Sequence, residues 1–238
     1  MKIRKEIIYF IPLYILCPVL LIGFSLFVSK AVTVYFENQP FVFQCTFVID
    51  AGHGGVDGGA TSCTGVLESN INLQISLKLN DMMHLLGLNT IMIRTEDVSV
   101  YTSGTTIAAK KVSDLKERMR IINEQPGAVL LSIHQNYFTD SRYKGAQIFY
   151  GTHSNSRVFA EKMQHTFVDM LNTDRKAKKA DGVYLMQHVN CPAILIECGF
   201  ISNPIEESLL LNDEYQKKLC AVIASVCSQY SQQISNLA

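Results

Sequence analysis

Three residues able to do metal or acid–base chemistry stand at the carboxyl ends of apolar runs. His53 follows CTFVID and Ala51-Gly52, His134 follows AVLLSI, and Glu197 follows CPAILI. In an open α/β sheet, ligands bind in the crevice beyond the carboxyl ends of the strands. Three residues far apart in sequence would therefore converge at one site. One strand-end histidine alone is more often structural, but three such residues, with glycines beside His53, favour a site. Histidine and carboxylate are zinc ligands, and catalytic zinc sites commonly use three protein ligands and keep a fourth position open. The carboxylate completing a His–Glu–His set is best supplied by Glu68, 15 residues after His53 at the end of the stretch AGHGGVDGGATSCTGVLE. The competing reading of Glu68 is a helix-start carboxylate facing the helix dipole.

The elements that must position these residues follow from hydrophobic pattern. Residues 45–50 read as a buried strand running into a glycine-rich turn at 51–60, whose glycines let the backbone fold tightly. A helix from about Ser69 carries Ile71, Ile75, Leu79, Met82, Met83 and Leu86 at helical spacing and stops at Gly87. Further strands are expected at 88–94, 128–133, 145–150, 183–187 and 193–197, and further helices from about Ser113, at 154–171 and from Asp213 to Tyr230. The polar stretch 95–112 reads as a loop and a candidate partner or substrate surface. Strands alternating with helices predict a single α/β domain: a mainly parallel, mixed sheet of about six strands with helices on both faces.

The chain has 238 residues, 48% of them hydrophobic and 18% charged, and the apolar excess has a local source. Residues 7–29 carry no charge and follow Lys2, Arg4 and Lys5. As a helix that run would extend roughly 34 Å, enough to cross a bilayer. Basic residues before it favour a cytoplasmic N-terminus, with everything downstream exported. The division expected is 1–30 as a signal-anchor, 31–44 as a connecting segment and 45–232 as the catalytic domain. Cleavage near Ser29-Lys30-Ala31 as a signal peptide is the alternative. Without residues 1–30 the chain keeps 17 basic and 20 acidic residues, which argues against a nucleic-acid binder. The six cysteines beyond Cys17 form no CxxC, and mostly free or buried thiols are expected rather than a disulfide scaffold.

The strings VIDAGHGGVDGGATSCTGVLESNINL, SIHQN (132–136) and PAILIECGFISNP (192–204), with weaker echoes in RTED (94–97) and LKERMRIIN (115–123), resemble the zinc-dependent N-acetylmuramoyl-L-alanine amidases of bacterial cell walls. The resemblance spans about residues 46–230. It implies Zn2+ as cofactor, His53, Glu68 and His134 as its ligands, Glu197 as the catalytic carboxylate, and peptidoglycan as substrate. The single domain and N-terminal anchor look most like the spore-cortex, germination-specific members, which implies a role in cortex maturation and germination. Gln135 stands where a small residue is common, and is expected to crowd the site or alter substrate fit. Some relatives carry an inhibitory helix after the second histidine. Only Tyr137–Lys144 separates that motif from the next strand here, which leaves control to localisation or a regulatory protein partner.

Other candidates rank lower. His84 and His165 sit inside helices and His153 in a loop; His188, just before Pro192, is a weaker candidate for the substrate cleft. Asn136 and Asn203 flank the two main motifs. Cys198 follows Glu197, so in a strand it would point to the opposite face, against a thiol mechanism. The basic run Arg175, Lys176, Lys178 and Lys179 reads as a solvated face, with contact to peptidoglycan carboxylates as the functional option. A zinc peptidase cutting within the stem peptide, or a wall-binding module without turnover, are the alternative functions.

Overall fold

The computed structural model describes residues 45–235, together with Pro18, residues 20–26 and Lys30. The chain divides into two units, 1–42 and 43–238. In the first, residues 20–26 are helical, with Leu20, Leu21, Ile22, Phe24 and Leu26 exposed. No helix among the described residues is long and apolar enough to cross a membrane. Most of the expected anchor, and the connecting segment 31–44, lie outside the described residues.

The second unit is an α/β domain. Its elements in chain order are β1 (Thr46–Ala51), α1 (Glu68–Leu85), β2 (Asn89–Met92), α2 (Ile107–Asn123), β3 (Ala128–Asn136) and β4 (Gln147–Tyr150). Then come α3 (Ser156–Leu171), β5 (Lys178–Lys179), α4 (Tyr184–His188), β6 (Ala193–Phe200), α5 (Pro204–Leu210) and α6 (Asp213–Ser235). The six strands form one sheet in the order β2-β1-β3-β6-β4-β5. β2, β1, β3 and β6 run parallel, β4 is antiparallel to β6, and β5 is parallel to β4.

Alternation along the strands sorts the side chains into two faces. Phe47 and Ile49, Leu131 and Ile133, and Ile194, Ile196 and Cys198 enter one large core under α1, α3 and α6. Val48, Leu130, Ala193 and Leu195 enter a smaller core on the opposite face, with Ile122 of α2 and Leu185 and Met186 of α4. Full burial of such side chains contributes about 1.5–3 kcal/mol each. On the smaller face the residues change character towards the strand ends. The positions of the same parity become Asp50, Ser132, His134 and Glu197.

Three expectations from sequence need correction. Residues 183–187 are not a strand: residues 184–188 form α4, which buries the adjacent Leu185 and Met186, as a helical turn can and an alternating strand cannot. The sixth strand is instead the two-residue, exposed Lys178–Lys179, a short charged edge that discourages further pairing. The loop at 95–112 is shorter than expected, because α2 begins at Ile107. Thr106 caps it by accepting from the Ala109 amide at 3.1 Å, and its first turns show no apolar stripe because Ile107 and Val112 are exposed.

Candidate active site

The loop joining β1 to α1 wraps around the site, and two of its glycines are required there. A Cβ on Gly52 would collide with the His134 imidazole, so the ring lies directly over bare backbone. Gly59, at φ +69°, leaves no room either: a Cβ would stand 2.6 Å from Glu68 Oε2 and 2.7 Å from the His53 ring. His53 itself takes φ 62°, an uncommon conformation for a residue with a side chain. Arg118 of α2 holds it there, donating from Nη2 to the His53 carbonyl at 2.6 Å.

These elements bring all four predicted residues together. His53 Nε2 lies 3.2 Å from Glu68 Oε2, and His134 Nδ1 lies 3.0 Å from Glu68 Oε1. One ligand atom from each of His53, Glu68 and His134 falls within 4.8 Å of the others, a group able to hold a metal ion. Glu68 is 4% exposed and fixed by amides, with Oε2 accepting from Ala60 N at 3.0 Å and Oε1 from Gln135 N at 3.1 Å. Asn72 Nδ2 adds a third bond to Oε1 at 3.2 Å. Glu197 is the register partner of His134 across β3 and β6. Its Oε2 is buried and without a hydrogen-bond partner among the described residues.

Burial and charge set the protonation of these groups. Burial would raise the Glu68 carboxyl, but hydrogen bonds and charge from His134 and His53 outweigh it and hold Glu68 well below the usual carboxylate range. Burial would lower His53, yet Glu68 and Asp57 raise it to about 9. Glu197 moves the other way: burial, reinforced by the nearby Glu68 charge and only partly offset by the histidines, pushes it up to about 7. One carboxylate is thus kept ionised while its neighbour is poised to exchange a proton near neutrality.

Around them lies a cleft of about 350 Å³, with His53, His134 and Glu197 on its floor and Val183, Leu185 and Leu195 as an apolar wall. Two imidazoles and a carboxylate are donors suited to zinc, and an orphaned carboxylate oxygen in the same cleft gives a bound group a partner. The residues present therefore fit a metal ion.

Several supporting residues are visible only in the structure. Asp50, 1% exposed, pairs with Arg118 Nη1 and accepts from Ser132 Oγ at 2.7 Å. Arg94 donates to the carbonyls of Ala51 at 2.8 Å, Gly52 at 3.0 Å and Ser69 at 2.9 Å, tying the end of β1 to the start of α1. Asp57 lies 3.0 Å from His53 Nδ1 and pairs with Lys111 Nζ at 2.7 Å. The signals were present only as RTED, LKERM and the aspartate of HGGVD.

Gln135 does not crowd the site. It points to the opposite face from His134 and donates to Asn72 Oδ1 at 3.1 Å, steadying the amide that holds Glu68. Cys198 is fully buried on that same opposite face, and all six cysteines of the domain are unpaired. His188 stacks on Tyr184 at 4.3 Å and does not line the cleft. Asn203 caps α5, accepting from Ile205 N at 3.0 Å, and donates to the Ser141 carbonyl at 2.8 Å.

Fold and site together define an open α/β protein with a candidate metal centre and a half-buried acid at the carboxyl ends of its strands. The chain belongs to the N-acetylmuramoyl-L-alanine amidase family, whose model matches residues 47–228, and it is an enzyme of that class. It is 38% identical over 178 residues to the germination-specific N-acetylmuramoyl-L-alanine amidase of Bacillus subtilis, covering 74% of this chain and 75% of that protein. Among solved structures it resembles the CwlD amidase of Clostridioides difficile, determined in complex with the GerS lipoprotein. The TM-score is 0.75 at 34% identity, over 80% of this chain and 100% of that one. An N-acetylmuramoyl-L-alanine amidase from Clostridium difficile 630 matches with TM-score 0.69 at 31% identity, over 79% and 96% of the two chains.

Proposed function

We propose that this amidase is zinc-dependent, hydrolyses the bond between N-acetylmuramic acid and L-alanine in spore-cortex peptidoglycan, and works outside the cytoplasm on an N-terminal membrane anchor. The observation that carries the catalytic part is the half-buried Glu197, whose buried Oε2 has no partner among the described residues, beside a His–Glu–His set in one cleft. Held by His53, Glu68 and His134, zinc would supply Lewis-acid polarisation of the amide carbonyl and activation of water at neutral pH. Glu197, with its carboxyl pushed up to about 7, takes the proton from the attacking water and returns it to the departing L-alanine nitrogen. Val183, Leu185 and Leu195 give the cleft an apolar wall, which strengthens these electrostatic interactions.

The cortex role draws on the likeness to the germination-specific amidase, and the anchor on the charge-free run 7–29 behind three basic residues. A relative solved with a lipoprotein bound supports a protein partner for this chain also.

The test is digestion of purified cortex peptidoglycan by the zinc-loaded protein and by its Glu197→Ala variant, with new amino termini identified. New L-alanine termini from the unaltered protein alone support the proposal. Termini inside the stem peptide would make it a peptidase instead, and no cleavage despite bound zinc would leave a binding module.

A further inference from the structure

A second cleft opens one strand beyond Glu197. Gln147 on β4 is the register partner of Glu197 on β6, so the two side chains leave the same face of the sheet on strands about 5 Å apart. Gln147 lines a cleft of about 640 Å³ whose walls carry Arg142 and Lys144 from the β3–β4 loop and Arg175, Lys176 and Lys178 from the segment entering β5. The acids present are Asp140 and Asp174, and Arg142 engages Asp140 at 2.7 Å. Among the described residues, Lys144, Arg175, Lys176 and Lys178 form no ion pair with a carboxylate.

The cations are tied to the catalytic strand. The Arg175 guanidinium lies 4.9 Å from the Phe200 ring centre and 5.6 Å from that of Tyr143, and Phe200 closes β6 three residues after Glu197. Arg175 Nε also donates to the Lys144 carbonyl at 2.9 Å, and Gln147 Nε2 to the Lys176 carbonyl at 2.9 Å, joining both cationic segments to one floor. Beyond residue 30 the chain carries 17 basic against 20 acidic residues, so five cations around one concavity mark a local reversal of charge. An excess of five cations over the two carboxylates of Asp140 and Asp174 favours an anionic ligand.

We propose that this cleft is a subsite for the acidic stem peptide of the substrate, with Lys144, Arg175, Lys176 and Lys178 receiving free carboxylates of residues beyond the scissile amide. The inference rests on the amidase reading above. The register of Gln147 with Glu197 sets the subsite beside the reacting bond, so it acts on substrate choice and leaves the proton transfer to Glu197.

The test uses the full-length, zinc-loaded protein in detergent and two soluble muramoyl-peptides, one with free carboxylates and one with those groups as carboxamides. The variant is Lys144→Gln/Lys176→Gln/Lys178→Gln, all at exposed positions. Removing three exposed ammonium groups is expected to lower kcat/KM on the acidic peptide about tenfold through KM, with kcat little changed and the carboxamide peptide unaffected. Equal activity of variant and parent on the acidic peptide, or an equal loss on both peptides, overturns the proposal. So does loss of binding to phosphatidylglycerol vesicles with KM unchanged, which would assign the cleft to a lipid surface. Direct binding to the Glu197→Gln protein separates the two readings. If the parent cleaves neither peptide the amidase reading fails, while about tenfold tighter binding of the acidic peptide, abolished by the triple substitution, still supports the subsite; equal binding of both peptides overturns it.

Discussion

His134 and Glu197 face one another as register partners on the adjacent parallel strands β3 and β6. Paired positions on neighbouring strands send their side chains to the same face about 5 Å apart. A candidate metal ligand and the proposed acid–base group are therefore spaced by a hydrogen-bonded ladder, a more exact support than a loop provides.

That spacing separates proton transfer from metal binding. Glu197→Gln keeps the shape of the side chain and removes its proton chemistry, so activity is expected to fall by about 10²–10⁴ with zinc content unchanged. Steady-state kinetics alongside metal analysis checks this. Loss of zinc together with activity would make Glu197 a metal ligand.

Metal uptake is expected to release protons. His53 sits at about 9 without metal and must be neutral to act as a ligand, whereas Glu68 is already ionised. Zinc affinity is therefore expected to rise about tenfold per pH unit from neutrality towards pH 9, with about one proton expelled from His53 per zinc bound. Calorimetry in buffers of different ionisation heat measures that proton. Affinity that stays flat from pH 7 to 8 would contradict it.

Asp57 orients His53 from behind. Its carboxylate lies 3.0 Å from Nδ1, and Lys111 holds it at 2.7 Å, which leaves Nε2 facing Glu68. Asp57→Asn weakens this support, so zinc affinity is expected to drop about 10–100-fold, with kcat at saturating zinc little changed. Competition titration against a chromophoric chelator reads the affinity, and an unchanged value would remove Asp57 from this role.

Arg118 is a structural keystone beneath the site. It is 2% exposed, paired with the buried Asp50 and with Asp114, and bonded to the carbonyls of Ala51 and His53. Arg118→Met strands a buried carboxylate, so a loss of about 3–5 kcal/mol is expected, seen as a Tm lower by about 10 °C. Adding Asp50→Asn should restore part of it, because the uncompensated charge is then gone. No recovery in the double variant would point to the lost carbonyl bonds instead.

The legible part of this protein was the part written in local pattern. His53, His134 and Glu197 stand where apolar strands end, and the glycines around His53 announce a tight loop, so local pattern points to candidate residues that the fold brings together. Arg118 and Asp50 were not legible in the same way. In LKERM an arginine on a charged helix face looks like any solvated residue, and only packing against β1 reveals that it is buried. The segment VYLMQ has the residue types of a strand, yet the sheet places β4 and β5 beyond β6, and the segment turns as α4 to cover Leu195. α5 had a readable start in Asn203-Pro204, a capping residue followed by proline at the first helical position, but seven residues give little periodicity to find.

In the proposed reaction water, with Glu197 as its proton acceptor, cuts the bond between muramic acid and L-alanine. Digesting peptidoglycan with the zinc-loaded protein in 18O-water, followed by mass spectrometry of both products, tests it most directly. One 18O is expected in the lactyl carboxyl of the muramic acid, with an unlabelled peptide beginning at L-alanine, and neither product from Glu197→Gln. Label in a carboxyl of the stem peptide, or cleavage undiminished in the variant, would contradict it.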